Sequence, residues 1–295
     1  MKNKIKDSIP ERIFDSFNIL ILFLLMIVTV YPLLYVLFAS LSNPASFALH
    51  KGILLWPQKF SLLAYKAVCD NPMIGRGYLN TLIIVVGGTA INLLMTSLGA
   101  YVLSRPNLPY KRFMNLFVMF TMFFSGGLIP SFLVVSGMGL LDSYWAILLP
   151  GAISTYNMIV MRTSFETLPI SLEESALIDG ANELTVLVRI ILPLSAPVVA
   201  VMLLFYGVGH WNSWFSAMIY LRTRIKYPLQ LILREILVEN DLNNMTVDVG
   251  SLDKEPIGET IKYATIVVAT LPILCIYPFL QKYFTKGIMI GAVKE

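Results

Sequence analysis

Six stretches of this chain are too apolar and too long to remain in water. They run approximately over residues 17–41, 79–103, 113–135, 144–161, 196–221 and 263–284. A hydrocarbon core about 30 Å thick takes roughly 20 residues of helix to cross, and a helix satisfies every backbone polar group within its own segment, as a bilayer demands. Only 14% of residues are charged, against about 25% in ordinary soluble proteins, and the mean hydropathy is +0.73. The expected fold class is therefore an all-α integral membrane protein, a single domain of six transmembrane helices over residues 1–295. No stretch is left for a soluble catalytic domain. Pro32, Gly87-Gly88, Pro130 and Pro272 fall inside the spans, where membrane helices tolerate them if neighbours re-satisfy the backbone.

Orientation follows from the short loops. Lys2, Lys4, Lys6 and Arg12 precede the first apolar run, which is longer than a signal-peptide core and is read as a retained span. An even number of spans puts both termini on one side. The loop 104–112 carries Arg105, Lys111 and Arg112, while 136–142 carries no Lys or Arg. The positive-inside rule then places both termini and the loop 162–195 in the cytoplasm, and the loops 42–77 and 222–262 outside. These outer loops hold 10 of the 22 Lys and Arg residues, but long loops weigh little in that rule. Within 222–262, Leu229, Ile232, Leu233, Ile236 and Leu237 recur at helical spacing and predict an amphipathic helix on the outer face or against the bundle.

Several chemistries are absent from the sequence. Cys69 and Cys275 are expected as two unpaired thiols, since a polar loop and a bilayer interior would have to meet to bridge them. His50 and His210 are too far apart to suggest a ligand pair, and no metal-site spacing occurs. No G-x-x-x-x-G-K-[ST] phosphate loop is present, so the chain has no usual means of cradling ATP. No basic run interleaved with aromatics suggests nucleic acid, and no acid–base or metal constellation falls within one layer of the spans to suggest an enzyme. Charged residues are nearly missing from the span interiors, which argues against an ion-coupled secondary transporter; a membrane scaffold is the other alternative.

The loop 162–195 interrupts the apolar pattern. Ser171 followed by Glu174 has capping-box spacing, and Glu173 and Glu174 suit a first helical turn. Gly180 is placed to end that helix, and Asn182 to cap a second one running through Leu184, Leu187, Val188 and Ile191 to Pro193. A helix of about two turns is unstable alone and needs a surface to pack on. Ala176, Leu177, Ile178 and Ala181, beside Asp179, suit a groove on a partner; on spacing alone, an ordinary amphipathic loop at the membrane surface fits equally.

Glu174-Ser175-Ala176, three residues, Gly180, nine residues, Ile190, one residue and Leu192-Pro193 together resemble the EAA loop of permease subunits in ABC importers. The one departure is Ser175, where that pattern has its first alanine. Asp179-Gly180-Ala181 is similar to the carbohydrate-uptake branch, and the likeness to a maltose-type second permease, especially of the oligosaccharide and polysaccharide branch, extends over nearly the whole chain. It includes "HWNSWFSAMIYL" in span five and the tail "KGIMIGAVKE".

The resemblance implies a bacterial inner-membrane subunit, multi-pass, paired with a homologous permease, two cytoplasmic ATPase subunits and an extracytoplasmic sugar-binding protein. ATP and Mg would then be bound by the ATPase subunits, with no cofactor in this chain. Glu174, Ala176, Leu177, Asp179, Gly180, Ala181 and Pro193 become the ATPase-coupling residues, with Glu183 to Pro193 as a stiff lever. For the substrate pathway the candidates are Trp211, Asn212, Trp214 and Asn80, aromatic faces and amides suited to sugars; an interfacial aromatic belt or helix packing explains the tryptophans as well. Asn92 and Asn157 either line the pathway or bond between helices. Arg222, Arg224, Lys226 and Arg234 favour an acidic, uronate-containing oligosaccharide, although seven acidic residues follow in the same loop. The tail from Lys286 to Glu295 is expected either as an extended strap between ATPases, with Gly287 and Gly291 permitting a close fit, or as a frayed end.

Overall fold

The computed structural model describes residues 9–238 and 254–292, and its regular structure is helical throughout. In chain order the helices are α1 (Ile9–Ser40), α2 (Pro44–Ala48), α3 (Leu63–Asp70), α4 (Pro72–Ser104), α5 (Lys111–Phe123), α6 (Leu128–Gly137), α7 (Trp145–Leu148) and α8 (Thr155–Glu166). There follow α9 (Ile170–Ile178), α10 (Glu183–Val186), a π-helical turn (Leu187–Ile191), α11 (Leu192–Leu194), α12 (Ala196–Trp211), α13 (Phe215–Tyr220), α14 (Leu229–Val238) and α15 (Lys254–Ala292). Lys2, Lys4, Lys6 and the acidic stretch 239–253 lie outside the described residues.

The chain divides into two units, residues 1–71 with 236–269, and residues 72–235 with 270–295. In the first, α1 runs unbroken through Pro32 and leaves nearly its whole apolar length exposed, the surface a lipid-facing helix presents. The following segment is folded rather than loose. Ser42 and Phe60 form an antiparallel bridge, Asn43 caps α2 by accepting from Ser46 N at 3.3 Å, and Tyr31 accepts from Leu54 N at 3.1 Å. Tyr35, Phe47 and Tyr263 meet edge to face with centroids 5.7 to 6.4 Å apart, an arrangement the ring quadrupoles favour.

In the second unit α4 is the spine, packed along α8 and α12. Its 33 residues begin seven positions before the expected span, at Pro72. Tyr101, Met158, Met161, Phe165, Val186, Leu187, Ile191, Met202 and Tyr206 form the core between these helices and the segment leading into α12.

Three expected spans are interrupted. The stretch 113–135 is α5 and α6, bent by 108°, because Ser125-Gly126-Gly127 carries the chain through a φ of +84° at Gly127, a region open to glycine without cost. The stretch 144–161 is α7 and the start of α8, separated by non-helical residues 149–154. The stretch 196–221 is α12 and α13, broken at 212–214. Among the described residues three helices are long and apolar enough to cross a membrane, or five if each bent pair counts as one.

The other sequence expectations fare unevenly. The amphipathic helix is present as α14, with Leu229, Leu231, Ile232 and Ile236 buried. Cys69 and Cys275 are free. The tail departs from the extended strap: backbone helix continues to Ala292, through Pro272 and Pro278, and the last three residues lie outside the description.

Candidate functional site

Residues 170–194 form a bent arm at the 104 end of α4. Helix α9 starts two residues earlier than the capping box would place it. Pro169 occupies the cap position, its ψ of 124° breaking the preceding chain, with no side-chain cap bond; Ser171 sits inside the first turn, where its carbonyl accepts from Ser175 Oγ at 2.7 Å. The helix ends as expected. Asp179 is the last cap residue and Gly180 follows at φ +88°, the left-handed turn in which glycine avoids a Cβ clash, while Ala181 N closes onto Ala176 O at 2.9 Å. Asn182 then caps α10, accepting from Thr185 N at 2.8 Å.

The second limb is helical over 183–194, as expected, with a π turn at Leu187–Ile191 set into it. It passes from α10 through the π turn into α11, and then bends by 89° into α12 at Ser195. The lever read from the sequence is therefore one helical piece up to Leu194, and it joins α12 through the bend at Ser195.

Exposure divides the coupling candidates. Ala176 and Ala181 pack onto the core, whereas Glu174, Asp179, Gly180 and Pro193 are exposed. Leu177 is 40% and Ile178 86% exposed, an apolar tip with a carboxylate beside it. Burying one such side chain is worth about 1.5–3 kcal/mol, so the tip is a surface suited to being covered.

The base of the arm is held by residues that sequence reasoning passed over. Tyr101, in the last turn of α4 and 5% exposed, donates its hydroxyl toward Glu173 of α9 at 3.2 Å and makes a short bond to Glu183, the first residue of α10. Arg105 pairs with the buried Glu173, and its guanidinium lies 4.3 Å over the Tyr101 ring. Beside this group a cavity of about 280 Å³ opens, lined by Arg105, Lys111, Glu166, Glu173 and Ile191 among others; Lys111 and Glu166 pair across it at 3.1 Å.

At the other end of α4 the groups are neutral. Asn80, 2% exposed, donates to the carbonyls of Ile225 and Tyr227 at 2.8 and 2.9 Å and accepts from Tyr144 at 2.9 Å, while Leu229 N donates to Thr81 at 2.8 Å. Nearby, Asp142 gathers the chain after α13. It accepts from Arg222 N, Thr223 N and Thr223 Oγ1 at 3.0, 2.9 and 2.6 Å and pairs with Lys226 at 2.9 Å. The Thr223 hydroxyl and Lys226, with the two backbone amides, hold its carboxyl well below the usual carboxylate range.

The pathway candidates are scattered. Asn80 is occupied by the bonds above. Trp211 is buried edge-on to Tyr78 and lines a small apolar cavity of about 150 Å³ with Val85, Leu204 and Ile273. Asn212 is exposed, and Trp214 lies under the Arg234 guanidinium at 4.8 Å. Asn92 bonds between helices: its amide donates to Gly151 O at 2.6 Å, and its oxygen is 2.6 Å from His210 Nε2. Tyr206, with Thr96 at 2.6 Å, accepts from Ser154 N at 3.3 Å, so two side chains serve the backbone of the break at 149–154. Asn157 is buried in α8, its backbone N–H donating to Ser154 Oγ at 3.4 Å. Of the outer cations, Lys226 and Arg224 are already paired, with Asp142 and Glu235, each at 2.9 Å. The sequence also missed a cavity of about 460 Å³ where the helix breaks meet, lined by Ser125, Ser131, Gly151, Phe215, Ser216 and Tyr220 among others.

The chain thus combines helices apolar enough to cross a membrane with a folded arm whose tip is apolar and exposed. Residues 93–290 match the family model described as "Binding-protein-dependent transport system inner membrane component", and the chain belongs to this family. It is 44% identical to the protein LplC of Bacillus subtilis over 96% of this chain and 95% of that one. It is 43% identical to the polygalacturonan/rhamnogalacturonan transport system permease protein YtcP of the same organism, over 96% and 99%. Among solved structures, a chain of a bacterial ABC transporter involved in the import of the acidic polysaccharide alginate superposes with a TM-score of 0.87 at 32% identity, covering 95% of this chain and all of that one.

Proposed function

We propose that this chain is one permease half of an ATP-driven ABC importer for an acidic, uronate-containing oligosaccharide. It pairs with a homologous permease, receives sugar from an extracytoplasmic binding protein, and couples to two cytoplasmic ATPase subunits that bind ATP and Mg. The observation that carries the reading is its end-to-end similarity to a polygalacturonan/rhamnogalacturonan permease and to a chain of an alginate importer. The absence of a phosphate loop in the sequence assigns ATP hydrolysis to the partners.

The chain crosses the bilayer six times, with both termini cytoplasmic. The third crossing is α5 with α6, the fourth α7 with α8, and the fifth α12 with α13. The tip at Leu177 to Gly180 seats in the ATPase, with Glu174 and Ala181 at its edges and Pro193 leading back to the membrane. Sugar passes along the cavity at the helix breaks, since non-helical backbone at membrane depth is tolerated where it lines a water-filled space; Asn212 and Trp214 lie just before two of its lining residues, Phe215 and Ser216, in the chain, whereas Trp211 and Asn80 have surroundings that are apolar or already bonded.

Two measurements test this. Reconstituted with its partners, the complex takes up oligogalacturonides in preference to neutral maltodextrins of equal length; equal uptake of both defeats the acidic-substrate reading. Gly180→Pro, which fixes φ near −65° where the chain needs +88°, abolishes sugar-stimulated ATP hydrolysis while the permease pair still co-purifies; unchanged stimulation defeats the docking reading.

A further inference from the structure

We infer that Tyr101 is a positioning residue that ties the second limb of the 170–194 arm to α4, beside the Arg105–Glu173 pair that holds the first, so that motion of the docked tip is delivered to α4 as well as along the chain into α12. The inference rests on the docking reading above. Glu173 lies before the bend at Gly180 and Glu183 lies after it, 72 and 82 residues from Tyr101, and both carboxylates converge on one phenol oxygen. The ten-residue excursion between them is closed at its base.

A phenol carries one hydrogen and satisfies one carboxylate at a time. Arg105 settles the division: its guanidinium takes Glu173, leaving the Tyr101 hydrogen to Glu183, with which the shorter bond is formed. Each limb thus has its own tie to the same end of the same helix. The tie to the second limb matters more, because that limb meets α12 through the 89° bend at Ser195, and covalent continuity alone transmits little torque through such a joint.

The geometry also supplies a clean variant. The Tyr101 ring belongs to the packed core, so phenylalanine fills its place; Glu183 is exposed and passes to water when the hydroxyl is gone. A hydrogen bond to a charged group is strong enough to shift a two-state balance by about tenfold or more.

The experiment uses the reconstituted complex, with spin labels at Val102→Cys on α4 and at the exposed Leu184→Cys on α10, in a background lacking Cys69 and Cys275. In the parent the label distance is narrowly distributed, with and without ATP. In Tyr101→Phe the distribution broadens, and the ratio of ATP hydrolysis with and without sugar-loaded binding protein falls about tenfold, while the ATPase subunits remain bound. Glu183→Ala reproduces both effects, and Glu183→Gln, whose amide oxygen still accepts, restores the parent behaviour. A parent-like ratio and a parent-like distance width in Tyr101→Phe overturn the clasp. If Gly180→Pro uncouples in the same preparation, only the clasp has failed; if the parent retains no ATPase, the docking reading fails and the clasp's role in coupling fails with it.

Discussion

At residue 80, α4 is held by an amide that bonds two backbone carbonyls and a tyrosine; at residue 101 it is held by a phenol set between two carboxylates and an arginine. The two points are 21 residues apart, about 31 Å along an α-helix, which is the thickness of a hydrocarbon core. Each end of that stretch of α4 carries one polar knot, and the chemistry differs. Asn80 is itself buried, at 2% exposed, so water has little access to break the neutral knot. At the arm's base Glu183 is exposed, and there water or another cation can replace the phenol. A joint that must persist and a joint that must yield are built from different groups.

The sharpest way to break this contrast is Asn80→Ala. It removes three hydrogen bonds made by one buried side chain, to the Ile225 and Tyr227 carbonyls and the Tyr144 hydroxyl, each worth about 1 kcal/mol, and leaves a cavity behind. The expected loss is about 4 kcal/mol or more, read as a fall in yield and melting temperature of the purified protein. A melting temperature within a degree of the parent would show that the neutral knot is not what fixes this end.

Arg105→Ala is expected to follow, at about 3 kcal/mol, because it leaves the buried Glu173 without its cation. Adding Glu173→Gln should recover most of that loss, a coupling that a double-mutant cycle measures directly; additive losses would mean that the pair does not act as one.

The smallest effect is at Asp142. Its carboxyl is held below the ordinary value in the folded chain, so its contribution is present above the unfolded value of about 4 and disappears as pH falls below it. Asp142→Asn should therefore melt lower than the parent at pH 7, and the gap should close on acidification below about pH 4. A gap independent of pH would assign the effect to packing instead.

Local chemistry explains which parts were legible beforehand. Gly180 and Asn182 act on their immediate neighbours, so the bend and the second cap were readable from spacing. The start of α9 was misread because two signals lay two residues apart, and Pro169, which presets the backbone outright, outweighed the Ser171–Glu174 pattern. Span breaks were hidden for another reason. Hydropathy sums over a window and cannot distinguish Gly87-Gly88, which stay inside α4, from Gly126-Gly127, which end α5 and turn the chain. Tyr101 gave no signal at all: a tyrosine near the end of an apolar run looks like an interfacial aromatic, and its partners are distant in sequence.

The π turn at Leu187–Ile191 has a geometric effect reaching beyond its own five residues. A π turn accommodates one more residue than the α turns on either side of it, and one residue corresponds to about 100° of rotation around a helix axis. Everything before the turn is thereby phased by roughly a quarter revolution relative to everything after it. The face of α10 that carries Glu183 and the face of α11 that carries Pro193 are set to independent bearings, much as a keyed shaft lets two cranks on one axle point different ways.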